Sequence, residues 1–372
     1  MAKPKLALYW AASCGGCEIA VLDLQEKILD VANAFDIVFW PVAMDFKYDD
    51  VRKMDDKSID LCLFNGAIRN SENNEIAELL RKKSKVLVAF GSCSMEGGIP
   101  GLANLTTKDE IWKWVYKDSP STVSQNGGTY PQTHTKMPEG EIEIPEMWDT
   151  VKALDQVIDV EYYIPGCPPQ PEQIWNVVEY ILSGKPLPPK GSILGAGEKT
   201  CCDECTRTKS EKKLTQFFRP YEIEPKPDLC LLEQGILCMG PATRDGCGGL
   251  CPKANMQCRG CSGPPPNVAD QGAKMVSALS SVIDAHQPED IERILDQIAD
   301  PIGTFYRFSL AHSILRRVDK SKRVKALCGQ GEEDELGKGA DHPSPFRNLN
   351  CLFFIRAGNS RDANEYRKVS LH

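Results

Sequence analysis

The chain has 372 residues, enough for two or three domains, and 52 acidic against 44 basic residues give it a net charge of −8 at pH 7. This acidic balance argues against general nucleic-acid binding. Mean hydropathy is −0.34, and no apolar run reaches the roughly 18 residues of a membrane span. No signal peptide or twin-arginine pair precedes the first apolar run, so we expect a cytoplasmic protein.

The first half of the chain alternates short apolar runs with segments of helical periodicity. The apolar runs predict strands at residues 5–12, 36–42, 61–65, 86–90 and 157–164. The periodic segments predict helices at residues 17–34, 72–83 and 171–182. This β–α alternation indicates an α/β domain with a doubly wound parallel sheet, which we assign to residues 1–185.

The rest of the chain has a different composition. A Gly-, Thr- and Pro-rich insertion at residues 104–149 predicts a surface loop, and the Pro- and Gly-rich residues 185–197 predict a linker. A loop-rich domain at residues 198–317 follows, organised by metal or cluster ligation, with helices predicted at residues 267–283 and 288–299. The charged, Gly-rich residues 318–372 predict a flexible C-terminal extension.

Cysteines follow three of the predicted strands of the sheet domain. The chain has 16 cysteines, several in C-x2-C spacing, which indicates metal binding in a reducing compartment, where disulfides are rare. Cys14 and Cys17 follow the first strand, Cys93 follows residues 86–90, and Cys167 follows residues 157–164. The carboxyl ends of parallel strands meet at one edge of a sheet, where ligands bind. Four thiolates converging there suit a [4Fe–4S] cluster.

Nine of the sixteen cysteines lie between Cys201 and Cys261. Eight of them suffice for two four-cysteine clusters. The natural division puts one cluster on Cys202, Cys205, Cys230 and Cys238, and the other on Cys247, Cys251, Cys258 and Cys261. Cys201 is a rival of Cys202 as a ligand, although the C-x2-C spacing favours Cys202.

Four motifs in this order resemble signatures of the small subunit of [NiFe] hydrogenases: ASCGGCE, GSCSMEGGIPG, PGCPPQPEQIW and CLLEQGILCMGPATRDGCGGLCPKANMQCRGC. The likeness covers residues 5–317 and is nearest to the cytoplasmic F420-non-reducing (methyl-viologen-reducing) type and its F420-reducing relatives. It implies a flavodoxin-like N-terminal domain with a proximal cluster. It also implies an iron–sulfur domain with a medial and a distal cluster.

The resemblance assigns ligands to each cluster. The proximal ligands are Cys14, Cys17, Cys93 and Cys167; the medial ligands are Cys247, Cys251, Cys258 and Cys261; the distal ligands are Cys202, Cys205, Cys230 and Cys238. Cys202 and Cys251 stand where periplasmic relatives have a histidine and a proline, so the resemblance implies three [4Fe–4S] clusters, with all twelve ligands cysteine.

The same resemblance implies partners and a role. The chain would carry electrons and would not split H2, because the nickel site of this family belongs to a large subunit. The implied partners are that large subunit and an electron acceptor, either a [2Fe–2S] protein with heterodisulfide reductase or a flavin subunit. We expect methanogenesis as the setting, no nucleic-acid partner, and no catalytic residue in this chain.

Other interpretations remain open. The chain could be the small subunit of an F420-reducing hydrogenase, or a zinc-stabilised structural protein, since four cysteines with C-x2-C spacing also bind zinc. The strand-end cysteines could be packed core thiols. The first strand–helix turn could bind the phosphate of FMN, although cysteines are an odd lining for a phosphate.

Several single residues are interpreted structurally. Cys62 lies inside a predicted strand and is expected in the core, while Cys328 and Cys351 are expected to be free thiols. Glu18 opens a predicted helix, where we favour a carboxylate that complements the helix dipole over a role in proton handling. Three lysines are interpreted as a solvated face rather than an acceptor-docking patch: Lys209, Lys212 and Lys213.

Overall fold

The computed structural model describes residues 3–123, 127–210 and 213–316. The predicted extension at residues 318–372, with Cys328 and Cys351, lies outside the described residues, as does Lys212. The strands in the described part are β1 (Lys5–Trp10), β2 (Asp36–Phe39), β3 (Ile59–Asn65), β4 (Ile68–Asn70), β5 (Ser84–Phe90), β6 (His134–Met137), β7 (Gly140–Glu143), β8 (Met147–Lys152) and β9 (Tyr162–Ile164). The helices are α1 (Gly16–Leu22), α2 (Ile28–Ala34), α3 (Tyr48–Lys53), α4 (Ser71–Lys83), α5 (Ser92–Glu96), α6 (Lys108–Lys113), α7 (Pro171–Leu182), α8 (Cys201–Glu204), α9 (Leu250–Lys253), α10 (Gln271–Val282), α11 (Pro288–Leu295) and α12 (Pro301–Phe305).

Five parallel strands form the sheet of the first domain, in the order β2-β1-β3-β5-β9. This is the strand order of flavodoxin-like folds, in which ligands bind beyond the carboxyl ends of the strands near the switch point. The predicted α/β class with a doubly wound parallel sheet is therefore confirmed. The sheet edge beyond β1, β5 and β9 is the edge at which the first four candidate ligands were expected.

Alternate residues of each strand pack into separate cores on the two faces of the sheet. In β1, Leu6 and Leu8 pack on one face, with α1 and α7, while Ala7 and Tyr9 pack on the other, with α4. This period of two follows from strand geometry. Cys62 in β3 lies in the second core with no exposed surface, which confirms its interpretation as a core thiol.

Two predicted elements differ most from those in the structure. The helix predicted at residues 17–34 is divided into α1 and α2, and between them Gln25 has a positive φ of 57°. A residue in this left-handed conformation interrupts an α-helix. The strand predicted at residues 157–164 is reduced to β9, because residues 157 and 158 form a turn and a bend after a short helical turn at residues 154–156.

The insertion at residues 104–149 is more ordered than the predicted loop. Thr107 and Glu110 form a reciprocal capping box that begins α6. Strands β6 and β7 form an exposed hairpin, and β8 pairs antiparallel with β4. The loop prediction is wrong for these parts. The hairpin was missed because both its faces are exposed, so its sequence lacks the alternation of a half-buried strand.

The second domain packs its own core against the first domain. Its core joins α10 and α12 to the cysteine-rich segment, through residues such as Met239, Met275 and Tyr306. At the junction Gly97 lies so close to Ala311 that a Cβ atom on Gly97 would be 2.4 Å from that side chain. The predicted linker also follows the sheet edge, where Ile193 forms a parallel bridge to Tyr163. The boundaries at residues 185 and 198 remain predictions.

Candidate metal centres

The loops after β1, β5 and β9 bring four cysteines to one edge of the sheet, and we call these four the proximal set: Cys14, Cys17, Cys93 and Cys167. Cys17 and Cys93 are buried in α1 and α5, and Cys14 is exposed. The loops are tied together, since the Ser92 N–H donates to the Gly166 carbonyl at 2.8 Å. The strand-end argument therefore predicted their convergence correctly.

Two glycines leave room for these thiols. A Cβ atom on Gly91 would lie 2.3 Å from Cys17 Sγ, and one on Gly98 would lie 2.5 Å from Cys93 Sγ. Both glycines have positive φ, 83° and 56°. Only glycine combines this backbone conformation with this lack of a side chain, so the backbone approaches the sulfurs at these positions.

The thiols of the proximal set perturb one another. Burial, followed by the neighbouring Cys167 and Cys14, raises the pKa of Cys93 to about 12, and a hydrogen bond from the Ile99 backbone opposes the shift. Burial also raises the pKa of Cys17, with Cys93 and Cys167 as the next contributors. Thiols in this environment stay neutral unless a cation replaces their protons.

Glu18 is also part of this region. It lies in the first turn of α1, as expected, yet its side chain is buried and accepts a hydrogen bond from Trp40 Nε1 at 2.5 Å. Burial raises the pKa of its carboxyl, and the hydrogen bond from Trp40 opposes this. The position in the first turn agrees with the helix-dipole interpretation, while the burial of the side chain and its contact with Trp40 were not predicted.

The last four cysteines of the second domain form a second group, which we call the medial set: Cys247, Cys251, Cys258 and Cys261. Cys258 is buried and accepts a hydrogen bond from the Gly260 N–H. The Gly249 and Leu250 N–H groups donate to Cys247. Such donors to sulfur are typical of ligated cysteines, whose charge they stabilise.

Cys201 lies between two groups of thiols. Its side chain is 1% exposed and lies within hydrogen-bonding range of the thiols of Cys247 and Cys258. It also lines the cavity that contains Cys202. Sequence reasoning considered it only as a rival of Cys202, and it missed the proximity to the medial set.

The remaining four cysteines line one cavity, and we call them the distal set: Cys202, Cys205, Cys230 and Cys238. The cavity has an empty volume of about 330 Å³, part of it open to solvent. A Cβ atom on Gly240 would lie 2.8 Å from Cys202 Sγ, so glycine again leaves room at a sulfur. Burial raises the pKa of Cys202 to about 12, opposed by the charge of Lys209.

Arg207 is a buried cation in the wall of this cavity, 7% exposed. Its guanidinium donates to the carbonyls of Pro252, Lys226 and Leu229 and to Asn255 Oδ1. All four partners are uncharged. A buried cation of this kind favours an anion in the adjoining cavity.

Two of the three lysines considered above are described. Lys209 Nζ donates to the carbonyl of Cys202 at 2.9 Å, so it belongs to the wall of the distal cavity. Lys213 Nζ donates to the carbonyl of Ser281 at 2.7 Å and is exposed. Lys209 is exposed as well, so the solvated-face interpretation agrees with both lysines, although Lys209 also lines the distal cavity.

The three sets are adjacent in a row. The Cys167 N–H of the proximal set donates to Cys261 Sγ of the medial set, and Ser92 Oγ donates to the Cys261 carbonyl. The Cys258 N–H of the medial set donates to Cys238 Sγ of the distal set at 3.3 Å. Each pair of neighbouring sets is thus linked by a hydrogen bond to sulfur.

The donor sets fit iron–sulfur clusters by their chemistry. Each set offers four cysteine sulfurs, and each has either a glycine close to a sulfur or an N–H group that donates to one. The distal cavity also contains the buried cation of Arg207. Within the described parts of the chain, no three Cys, His, Asp or Glu side chains lie at the distances of a site for a single metal ion. Across the same residues, no helix combines the length and apolar character needed to cross a bilayer.

Comparison with known proteins gives the family of the chain. Residues 14–181 match the family "NADH ubiquinone oxidoreductase, 20 Kd subunit". The iron–sulfur subunit of the F420-non-reducing hydrogenase of Archaeoglobus profundus is 42% identical over 84% of this chain and 98% of its own length. The equivalent subunit of the F420-non-reducing hydrogenase of Methanothermobacter marburgensis is 38% identical over 84% of this chain and 96% of its own length. A chain of the NAD+-reducing [NiFe]-hydrogenase in the H2-reduced state aligns with 50% of this chain and 96% of its own, at 26% identity and a TM-score of 0.43.

The sequence relatives therefore define the chain as the small subunit of a hydrogenase, an oxidoreductase. It belongs to the family of iron–sulfur subunits of F420-non-reducing hydrogenases. Small subunits of hydrogenases carry iron–sulfur clusters and pair with a large subunit. The resemblance inferred from the four motifs is confirmed.

Proposed function

We propose that this subunit conducts electrons from H2 oxidation at its large subunit through three [4Fe–4S] clusters to an acceptor. The proposal assigns the proximal, medial and distal sets as the ligands, with all twelve ligands cysteine. The observation that carries it is the row of three four-thiol sets linked by Cys167 to Cys261 and by Cys258 to Cys238. Iron–sulfur clusters accept and donate single electrons at potentials set by their surroundings.

The chain's own residues supply those surroundings. Gly91, Gly98 and Gly240 keep the space at the sulfurs free of side chains. The Gly249, Leu250 and Gly260 N–H groups donate to medial sulfurs. Arg207 places positive charge beside the distal set. Hydrogen bonds and cations at the sulfurs stabilise the reduced state, so these residues tune the potentials.

The large subunit would cover the proximal edge. Cys14 is exposed there, and the elements around it expose Trp10, Ile19 and Leu22, with Ile19 at 54%. Exposed apolar side chains grouped around an exposed ligand indicate a protein interface. We therefore expect a tight heterodimer with a nickel-bearing large subunit, in the cytoplasm.

The acceptor binds nearest the distal set in this proposal. It is either a [2Fe–2S] protein with heterodisulfide reductase or a flavin subunit, and co-purification would distinguish the two. A role in an F420-reducing enzyme is the second candidate within the class, although the relatives at 35–42% identity are F420-non-reducing enzymes. A zinc-stabilised structural role is the alternative from another class.

A pair of ligand variants tests the direction of electron flow in the purified complex. With Cys202→Ser, H2 should still reduce the proximal and medial clusters, while reduction of the external acceptor falls by at least tenfold. With Cys17→Ser, H2 should reduce none of the clusters. Cys62→Ala in the sheet core is the matched control and should behave as wild type. Equal acceptor reduction by the Cys202→Ser and wild-type complexes would refute the proposed row.

A further inference from the structure

A second cavity lies in the iron–sulfur domain, outside the three thiol sets. It has an empty volume of about 660 Å³, part of it open to solvent. Its walls come from the segment around Phe217 and Arg219, the segment around Gln257 and Arg259, and the end of α12 with Arg307. Cys258 forms part of one wall, so the cavity adjoins the medial set.

Three arginines converge on this cavity without a carboxylate partner. Among the described residues, no ion pair or side-chain hydrogen bond involves the guanidinium groups of Arg219, Arg259 and Arg307. Arg307 is half-buried, and burial lowers its pKa, as do the charges of Arg259 and Arg219. Asp300 opposes this, but one of its oxygens accepts the Gly303 N–H at 2.9 Å as the N-cap of α12.

An arginine cluster is unexpected on a chain with a net charge of −8. Like charges in proximity destabilise a fold unless a counter-charge joins them. Guanidinium groups bind phosphate in bidentate fashion and more strongly than neutral donors do. The cluster therefore has the positive charge and the donor groups that a phosphate group requires.

A second observation in the same cavity also indicates a ligand. Gln257 Oε1 is buried and has no hydrogen-bond partner among the described residues. A buried acceptor without a donor costs free energy, and a ligand with an O–H or N–H group would satisfy it. Phe217 and Phe218 add an aromatic wall on which a flat ring can stack.

We propose that this cavity binds a small phosphate-bearing molecule, with the three arginines holding the phosphate and Gln257 accepting a hydrogen bond from the ligand. The proposed contacts to the phosphate use none of the assigned cluster ligands, although Cys258 forms part of one wall. Its existence does not depend on the number or type of clusters.

Calorimetric titration of the purified hydrogenase complex tests the site, with pyrophosphate and adenosine 5′-monophosphate as probes. Both should bind saturably, at or below about 1 mM, and adenosine should not bind. Arg259→Gln and Arg307→Gln should each weaken binding of pyrophosphate by about tenfold, since each removes a charge-assisted contact. Gln257→Leu should weaken the binding of adenosine 5′-monophosphate more than the binding of pyrophosphate.

Arg52→Gln is the matched control. Arg52 is an exposed arginine of the first domain that pairs with Asp49 and Glu75 at 2.7 and 2.6 Å, and its loss should leave binding unchanged. Iron content and co-purification with the large subunit report the integrity of each variant. If Arg307→Gln does not fold, Arg219→Gln is used in its place beside Arg259→Gln, because Arg219 and Arg259 are both exposed. The absence of saturable binding to wild type, or wild-type affinity in the arginine variants, would overturn the proposal.

Discussion

The Cys258 N–H donates a hydrogen bond of 3.3 Å to Cys238 Sγ, although the two cysteines belong to different four-thiol sets. The contact puts the medial and distal sets side by side in a domain with little regular structure. The corresponding link on the other side joins Cys167 to Cys261 across the junction between the domains. Assembly of the row therefore requires the two domains to pack as they do.

The first prediction concerns Cys251, the exposed member of the medial set. Replacing Cys251 with proline leaves three thiolates, which hold three irons. We expect conversion of the medial site from [4Fe–4S] to [3Fe–4S] and a higher potential, because potential depends on cluster type and charge. The oxidised variant should show a three-iron EPR signal that the wild type lacks.

The placement of Cys201 gives this experiment a second arm. Cys201 lies at the thiols of Cys247 and Cys258, so it is the residue able to replace a lost medial ligand. Cys251→Pro combined with Cys201→Ala should show the same three-iron signal. An unchanged iron count and EPR spectrum in Cys251→Pro alone, with the three-iron signal in the double variant, would mean that Cys201 replaces Cys251. An unchanged iron count and EPR spectrum in both variants would mean that Cys251 is not a ligand.

The second prediction uses two glycines with the same backbone conformation. Gly91 and Gly127 have φ of 83° and 81°, but a Cβ atom would clash with Cys17 Sγ at Gly91 and meet nothing within 4 Å at Gly127. Gly91→Ala should lose the proximal cluster, about four irons per chain, whereas Gly127→Ala adds only a backbone strain of about 1 kcal/mol. Iron analysis of both variants measures the difference. Equal iron in the two would contradict the role given to Gly91.

The third prediction concerns Arg207. Arg207→Met removes a buried charge and leaves four acceptors without a donor, so we expect a loss of about 3 kcal/mol in the free energy of unfolding. The distal cluster should also become harder to reduce, because a nearby cation is lost. Arg207→Lys keeps the positive charge. The reduction potential of its distal cluster should therefore lie closer to the wild-type value than its free energy of unfolding does. Redox titration followed by EPR separates these outcomes, and an unchanged distal potential in Arg207→Met would contradict the prediction.

The fourth prediction concerns the pH dependence of stability at the domain junction. His312 Nδ1 lies 3.8 Å from Glu96 Oε2, and His312 Nε2 lies 3.3 Å from Asp155 Oδ2. Burial raises the pKa of Glu96 to about 7; His312 and Arg244 oppose the shift, and Asp155 and Asp270 add to it. The hydrogen bond to Asp155 raises the pKa of His312 to about 9.

The native protein therefore keeps protons that the unfolded chain releases. Stability from neutral Glu96 is complete below its ordinary pKa of 4.5 and is lost as pH rises through about 7. Stability from charged His312 is complete below 6.5 and is lost as pH rises through about 9. Glu96→Gln should remove the decline between about pH 5 and 7 and keep the later one. Denaturation midpoints measured across this pH range report the decline in stability. A wild-type midpoint that rises with pH would contradict the prediction.

The sequence predicted the sheet and the proximal set because both follow from one rule. Parallel strands have their carboxyl ends at one edge, so cysteines after β1, β5 and β9 must meet there. The same reasoning did not predict the lengths of α1 and β9, because the left-handed Gln25 and the turn and bend at residues 157–158 depend on tertiary packing.

The C-x2-C spacing alone did not predict which set of thiols Cys201 contacts. Cys201 and Cys202 are adjacent in α8, and successive residues of a helix differ in direction by about 100°. One thiol therefore points to the medial set while the next lines the distal cavity. A pairing rule based on C-x2-C spacing treats the two as rivals for one position and contains no information about direction.

The content of iron and acid-labile sulfide in the purified complex tests the central claim most directly. Three [4Fe–4S] clusters require about twelve irons and twelve sulfides in this chain. Addition of dithionite should bleach the visible absorbance that comes from the clusters of this chain. A colourless chain with stoichiometric zinc, or one with iron for a single cluster, would contradict the account.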